Sequence, residues 1–376
     1  MEKKKKCWKR FLIAGAAAAV LVSGLNMPDV SAKATVSGFD LQAHRGGRDA
    51  RPENTLAAFA YAMNLGVSTL EMDLQITKDG YLVISHNPKL ETHLAKDIHG
   101  NYVKQGQQPD MRSMSLAEIK SYDMGTMNPE AGDYYEGHGR TQLSVPGTHV
   151  PTLDEVFELA IAYGNKDVKF NIETKSYVDP VDPLNPSPQY FAKKVIDVVK
   201  KYHMEDRVTV QSFDWKTLQE VRKLDKDITL VALTCEQESW GPDGLYRQVG
   251  KPGASPWMGG LDIDTYNGDY VKAAKAINAD VVSPYWEELT PELVAEAHKL
   301  GMKVVPWTVN NEAAMEKLLT MGVDGMISDK PEVLRNFLIK KGLKVPAPTP
   351  GMLYYTGTKM VDASTKTLSN GGDSAY

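Results

Sequence analysis

The sequence predicts an α/β chain folded as a (β/α)8 barrel. Eight short apolar runs recur between Phe39 and Asp329, and amphipathic stretches separate most of them. The runs are near-continuous and rich in β-branched residues, as strands buried on both faces of a parallel sheet are. Eight such units over roughly 300 residues have the size and rhythm of a closed barrel; an open doubly wound sheet is the competing arrangement. With 42% hydrophobic and 24% charged residues, the chain can build a large core. Its net charge of -5 offers no basic surface for nucleic acid.

The first residues stand apart from this rhythm. "MEKKKKCWKR" is a basic segment, and the apolar "FLIAGAAAAVLVSGL" after it is short for a membrane span. "VSAKA" supplies small residues for cleavage, so residues 1–34 read as a signal peptide and the mature chain is expected to begin near Lys33 or Thr35. The protein is therefore expected to be secreted or extracytoplasmic, with no membrane span after processing. Removal of Cys7 leaves Cys235 alone, which excludes an intramolecular disulfide and places the burden of stability on the core.

From there the elements follow in order. "FDLQAH" is the first strand and "TLAAFAYAMNLG" its helix; "TLEMDLQI" is the second strand. Asp79-Gly80 then signals a tight hairpin into "YLVISHN", and pairing around that turn sets Asp73 opposite His86. Residues 89–150 hold no long apolar run and one helical stretch, "SLAEIKSYD", so they read as an insertion over one mouth of the barrel. The alternation resumes with "TLDEVFELAIAYG", "DVKFNIET", "PQYFAKKVIDVVKKYH", "RVTVQSF", "ITLVALT", "ADVVSPY", "PELVAEAHKLG", "KVVPWTV", "NEAAMEKLLTMG" and "GMISD". The barrel domain is expected over 35–345. Residues 346–376, rich in Pro, Gly, Ser and Thr, read as a flexible tail.

In a parallel barrel, chemistry gathers where strands end. His44 and Arg45 close the first strand, Glu71 and Asp73 share one face of the second, and Glu173 and Lys175 repeat that spacing in the next. Gln211 and Ser212 close another strand, and Trp307 with Asn310 a later one. Taken singly, each has an ordinary explanation as a loop hydrogen bond, a surface ion pair or a core aromatic. Together they would need a wet face on strands too apolar to have one. Three converging carboxylates repel one another unless a cation joins them, and hard oxygen ligands favour Ca²⁺ or Mg²⁺ over Zn²⁺. Arg45 and Lys175 would then face an anion, and Arg suits bidentate phosphate binding. His44 and His86 would flank the same point as general base and general acid for phosphodiester cleavage.

These residues carry a family resemblance. "HRG" followed by "PENT", then "EMDLQITKDG", "VISHN", "IETK", "QSF", "PWTVN" and "VDGMISDKP", together resemble the glycerophosphodiester phosphodiesterases over about residues 39–340. The resemblance implies a TIM barrel with an insertion after the second catalytic histidine. It also implies hydrolysis of glycerophosphodiesters to an alcohol and sn-glycerol 3-phosphate with one divalent cation, for which the expected export to where free calcium is abundant favours Ca²⁺ over Mg²⁺. By position it makes Glu71, Asp73 and Glu173 the metal ligands and His44 and His86 the catalytic histidines. Arg45 becomes the phosphate arginine, Lys175 the lysine of the Glu-x-Lys motif and Trp307 an aromatic at the pocket mouth. Glu53 is expected to orient His44 or Arg45, and Asn54 or Thr55 to cap the next helix. Asn87 departs from the Asp that many relatives have after the histidine.

The implied mechanism uses the substrate's glycerol 2-hydroxyl as nucleophile, through a cyclic phosphate. Direct attack by water is the simpler alternative, and which histidine starts as base stays open. Other substrates, namely lysophospholipids, phosphatidylinositols or teichoic-acid chains, would use the same site. A barrel that only binds phosphate esters or calcium is the alternative of another class, though binding alone has no need of two proton-transfer groups.

Overall fold

The computed structural model describes residues 38–178, 182–349, 353–355 and 360–362. The leader expected over residues 1–34 lies outside them, as does most of the tail after Thr349. The chain from Asp40 carries nine strands of one sheet: β1 (Asp40–Ala43), β2 (Thr69–Ile76), β3 (Leu82–Ile84), β4 (Lys169–Thr174), β5 (Val208–Ser212), β6 (Thr229–Thr234), β7 (Val281–Pro284), β8 (Lys303–Val304) and β9 (Gly325–Ser328). Eight are parallel and run in the order β8-β7-β6-β5-β4-β2-β1-β9, with β3 antiparallel at the side of β2. The ends meet: Asp324 N–H bonds Val304 O (2.9 Å), Ile327 N–H bonds Pro306 O (3.0 Å) and Val309 N–H bonds Ile327 O (2.9 Å). The sheet is the closed eight-stranded barrel that the alternation predicts.

Of helices α1 (Leu56–Leu65), α2 (Leu116–Ile119), α3 (Leu153–Ala162), α4 (Pro188–Lys201), α5 (Trp215–Leu224), α6 (Tyr270–Ala276), α7 (Pro291–Lys299), α8 (Glu312–Met321) and α9 (Pro331–Lys340), α1–α4, α7 and α8 fall on the helical stretches quoted above, while α5, α6 and α9 lie where none was singled out. In α4, Ser187 caps the N-terminus by accepting the Tyr190 N–H (3.2 Å), and Pro188 occupies the first turn where no N–H is needed. Its Phe191, Ala192, Val195, Ile196 and Val199 form the single stripe that is buried. All residues of β2 are buried, but its two faces differ. Leu70, Met72, Leu74 and Ile76 join the large core, whereas Thr69, Glu71, Asp73 and Gln75 alternate with them and are polar. The strand interior is thus less apolar than expected on this side: Asn171 bonds both Gln42 and Gln211 (2.8 Å each). Val231, Val281, Val305 and Ile327, with Trp307 against them, make an apolar cluster of their own.

The hairpin corrects one expectation. Ile76 pairs with Leu82 and Leu74 with Ile84, so Asp73 lies across from Ser85, whose N–H bonds Asp73 O (2.9 Å), and not from His86. The cause is the turn, which has three residues instead of two: Thr77 N–H bonds Tyr81 O (2.9 Å) around Lys78, Asp79 and a left-handed Gly80 (φ 84°). His86 therefore follows the paired strand. The insertion packs its own core from Leu90, Leu94, Met111, Ile119, Met124 and Val150 against Val83. The helix expected there is a single turn, α2, held by a Ser115–Glu118 capping box. The first tail residues lie along α1, where Thr349 N–H bonds Met63 O (3.0 Å); Leu353–Tyr355 and Met360–Asp362 pair as an antiparallel ribbon.

Candidate active site

The turn after β1 sets the first part of the site. His44–Gly46 makes one tight turn in which Arg45 takes a left-handed backbone (φ 51°, ψ 32°), a conformation costly for any residue with a Cβ. Gly46 follows at φ 80° against α1, where a Cβ would stand 2.7 Å from that of Ala58. The turn aims the Arg45 backbone N–H at Glu71 Oε2 (2.8 Å) and its guanidinium at Glu53 Oε1 (2.7 Å) and Asp73 Oδ2 (3.2 Å). Glu53 therefore orients Arg45 and not His44. Thr55 caps α1 by accepting the Ala58 N–H (3.2 Å), while Asn54 donates to Asp73 Oδ2 (2.9 Å).

β2 and β4 bring the carboxylates together. Strand register places Asp73 beside Glu173, and ligand oxygens of Glu71, Asp73 and Glu173 lie within 4.8 Å of one another, all three residues buried. Burial, then the charges of Asp73 and Glu173, push the Glu71 carboxyl well above its usual range. Glu173 is pushed up to about 7 by burial; Lys175, whose Nζ lies 2.9 Å away, opposes that rise and Asp73 adds to it. Asp73 goes the other way: burial opposes its charge, but Arg45, His86 and Lys175 outweigh burial and lower it. Its Oδ1 is buried without a hydrogen-bond partner, with Lys175 Nζ 3.8 Å away as a longer ion pair. An orphaned carboxylate oxygen amid three crowded acids fits a cation, and this all-oxygen triad can hold a metal ion. Gln211 fixes Glu71 by donating to Oε1 (2.7 Å).

The histidines differ in their supports. His44 Nδ1 lies 2.5 Å from Asp329 Oδ1, which leaves Nε2 for the site. Burial lowers the His44 pKa; Asp329 acts against that, and Arg45 and Arg48 add to it. Burial opposes the Asp329 charge too, but Arg48 and His44 outweigh it and hold Asp329 ionised. Arg48 grips both Asp329 oxygens (2.6 and 3.1 Å), and Asn310 donates to Oδ2 (2.7 Å). His86 has the neutral Asn87 at Nδ1 (3.0 Å), and Asn87 is in turn held by Glu91 (3.0 Å). Burial and then Arg45 and Lys175 put the His86 pKa well below its usual value. Both shifts favour the neutral imidazole.

His44, Arg45, Glu71, His86, Glu173, Lys175 and Trp307 all line one pocket. Trp307 holds its place by donating its indole N–H to Ser283 O (2.9 Å) and meeting Phe213 edge-on at 5.5 Å. The sequence reading missed Asp329 and Arg48, the bond of Asn54 to Asp73 and the supporting role of Gln211. Asp329 had one legible signal: it ends the eighth run, and a closed barrel sets that run beside the first.

Fold and site together define a class, an α/β-barrel hydrolase of phosphate esters. The model of the "Glycerophosphoryl diester phosphodiesterase family" matches residues 44–333. A glycerophosphodiester phosphodiesterase of Caldanaerobacter subterraneus is 34% identical over 301 residues, 80% of this chain and 97% of that protein. Another from Bacillus subtilis is 30% identical over 305 residues, 80% and 86% respectively. Among solved structures, a candidate glycerophosphoryl diester phosphodiesterase of Silicibacter pomeroyi superposes with a TM-score of 0.68 at 31% identity, over 81% of this chain and 94% of that one. The chain belongs to the glycerophosphoryl diester phosphodiesterase family.

Proposed function

We propose that the chain cleaves small glycerophosphodiesters to an alcohol and sn-glycerol 3-phosphate by histidine acid–base catalysis, outside the cytoplasm. One observation carries this reading: two histidines with different supports share a pocket with Arg45, Lys175 and the Glu71 and Glu173 of an acidic triad that Asp73 completes. Glu71, Asp73 and Glu173 would hold one divalent cation, Ca²⁺ in preference to Mg²⁺, which when bound supplies charge neutralisation for the phosphate. Arg45 holds a phosphate oxygen, with Glu53 and Asp73 keeping its guanidinium in place. Lys175 adds a second positive charge, and Trp307 bounds the mouth of the pocket.

His44 is the initial base in this scheme, because Asp329 at Nδ1 steadies the imidazolium that forms. It takes the proton of the glycerol 2-hydroxyl, whose oxygen bonds to phosphorus as the bond to the departing alcohol breaks. A hydroxyl already within the substrate needs no capture from solvent. His86 gives its proton to that alcohol; the diester's negative charge between Arg45 and Lys175 makes it easier for His86 to be protonated first. Water then opens the five-membered cyclic phosphate, with the two histidines exchanging roles. The basic-apolar leader and the unpaired, buried Cys235 support export and a fold without disulfides.

The test follows glycerol 3-phosphate release from glycerophosphocholine by the purified chain, first with chelator and then with Ca²⁺ or Mg²⁺ restored. Metal-dependent release is expected, and His44→Ala or His86→Ala should each reduce it about 10²- to 10⁴-fold. Either variant turning over at the unmutated rate would remove its histidine from the mechanism.

A further inference from the structure

The segment "DYYEGHGR", residues 133–140 of the insertion, has no part in the chemistry above, yet one of its side chains touches both arms of the site. The Tyr134 hydroxyl donates to Glu53 Oε2, while Glu53 Oε1 accepts from the phosphate-facing Arg45 (2.7 Å). The same Tyr134 oxygen receives Arg48 NH1 at 3.5 Å, and the Arg48 guanidinium stands 5.9 Å from the ring centroid. Arg48 grips Asp329, which bonds His44. One phenol therefore joins the run Arg45–Glu53–Tyr134–Arg48–Asp329–His44, in which every donor faces an acceptor and each bond polarises the next.

The ring is placed from two sides. His93 stacks on it with centroids 3.8 Å apart and planes at 30°, and its Nε2 is 3.8 Å from Glu53 Oε2. Just beyond, the insertion clips onto the loop that carries Arg48. Thr141 donates to Asp49 O (2.8 Å), Gln142 to Arg48 O (2.7 Å), and Leu143 N–H to Ala50 O (2.9 Å). A surface cover would have no reason to aim a hydroxyl at a buried carboxylate that already serves the phosphate arginine.

We propose that Tyr134 is a positioning residue that couples the phosphate-holding Arg45 to the proton-transfer His44. The insertion thereby completes the active site and does not merely cover it. This rests on the roles given above to Arg45 and His44.

The test compares the full chain with Tyr134→Phe, Arg48→Lys and the double variant. Phe keeps the stack on His93 but can neither donate to Glu53 nor accept from Arg48. Tyr134→Phe should lower kcat/KM about tenfold, the size expected for one lost hydrogen bond to a charged group, with the chain still fully folded at the assay temperature though its melting temperature falls somewhat. The double variant should lose less than the product of the single losses, since both single changes break the same chain. Affinity for inorganic phosphate, which needs no turnover, should fall severalfold in Tyr134→Phe. Unmutated kcat/KM and phosphate affinity in Tyr134→Phe would overturn the proposal, as would strictly multiplicative losses in the double variant. Failure of the parent reading is a different result: the unmutated chain itself would then release no glycerol 3-phosphate.

Discussion

At the scale of single residues, the site separates two histidines by what touches Nδ1. His44 has a carboxylate held ionised by Arg48, whereas His86 has the neutral amide of Asn87. Replacing Asp329 by Asn removes the charge that raises the His44 pKa against burial, so that pKa falls further below 6.5. A base must be unprotonated to act, so the acid limb of the kcat/KM–pH profile should move to lower pH while the rate on the plateau drops by at least about 10²-fold. An acid limb that stays in place, with an unchanged plateau, would remove Asp329 from the mechanism. Most first-contact residues were legible because their chemistry is unusual for their place: acids and a lysine at alternate positions of otherwise apolar strands. Asp329, Arg48 and Asn54 were not, since each looks like an ordinary loop residue until its partner is known.

Among the elements, the tight turn after β1 decides most. Gly46 lies at φ 80° with no room for a Cβ beside Ala58, so the turn and the start of α1 approach as closely as the backbone permits. Gly46→Ala should cost about 1–3 kcal/mol for the backbone conformation alone. It should also displace Arg45, so that phosphate affinity falls further than thermal stability predicts. A melt and a phosphate titration on the same sample measure both effects, and full phosphate affinity would show that the turn tolerates the shift. The eight barrel strands and most of their helices were readable from periodicity, and residue type narrowed the cap of α1 to Asn54 or Thr55. The β2–β3 register was not, because Asp79-Gly80 fits both a two-residue and a three-residue turn, and tertiary packing selects the latter.

For the whole molecule, the acidic triad ties stability to pH and metal. Glu71 is raised well above 4.5 and Glu173 to about 7, so the folded chain without cation keeps protons that the unfolded chain releases. These two groups therefore lower stability as pH rises from 4.5 toward 7. A cation requires them unprotonated, so its stabilising effect should grow across that window and level off above it. His44 and His86 titrate in the opposite sense and a cation in the same pocket would lower them further, so the carboxylate part is read from how Glu173→Gln changes the difference between melts with Ca²⁺ and with chelator. That difference should approach about 2.7 kcal/mol at about 100 times Kd, and Glu173→Gln should flatten it. A difference that is constant with pH would place the cation elsewhere.

The sequence by itself determined the alternation of strand and helix, the chemistry at the strand ends and the identity of the crowded acids. These are local properties, set by a period of two or 3.6 residues and by residue type. Only the tertiary structure decided which supports meet His44, His86 and Arg45. Asp329 reaches His44 across 285 residues because barrel closure sets the last strand beside the first. Tyr134 reaches Glu53 across 81 because the insertion folds back onto the Arg48 loop. Such pairings depend on closure and docking of distant segments, which leave no periodic trace in the residues that make them.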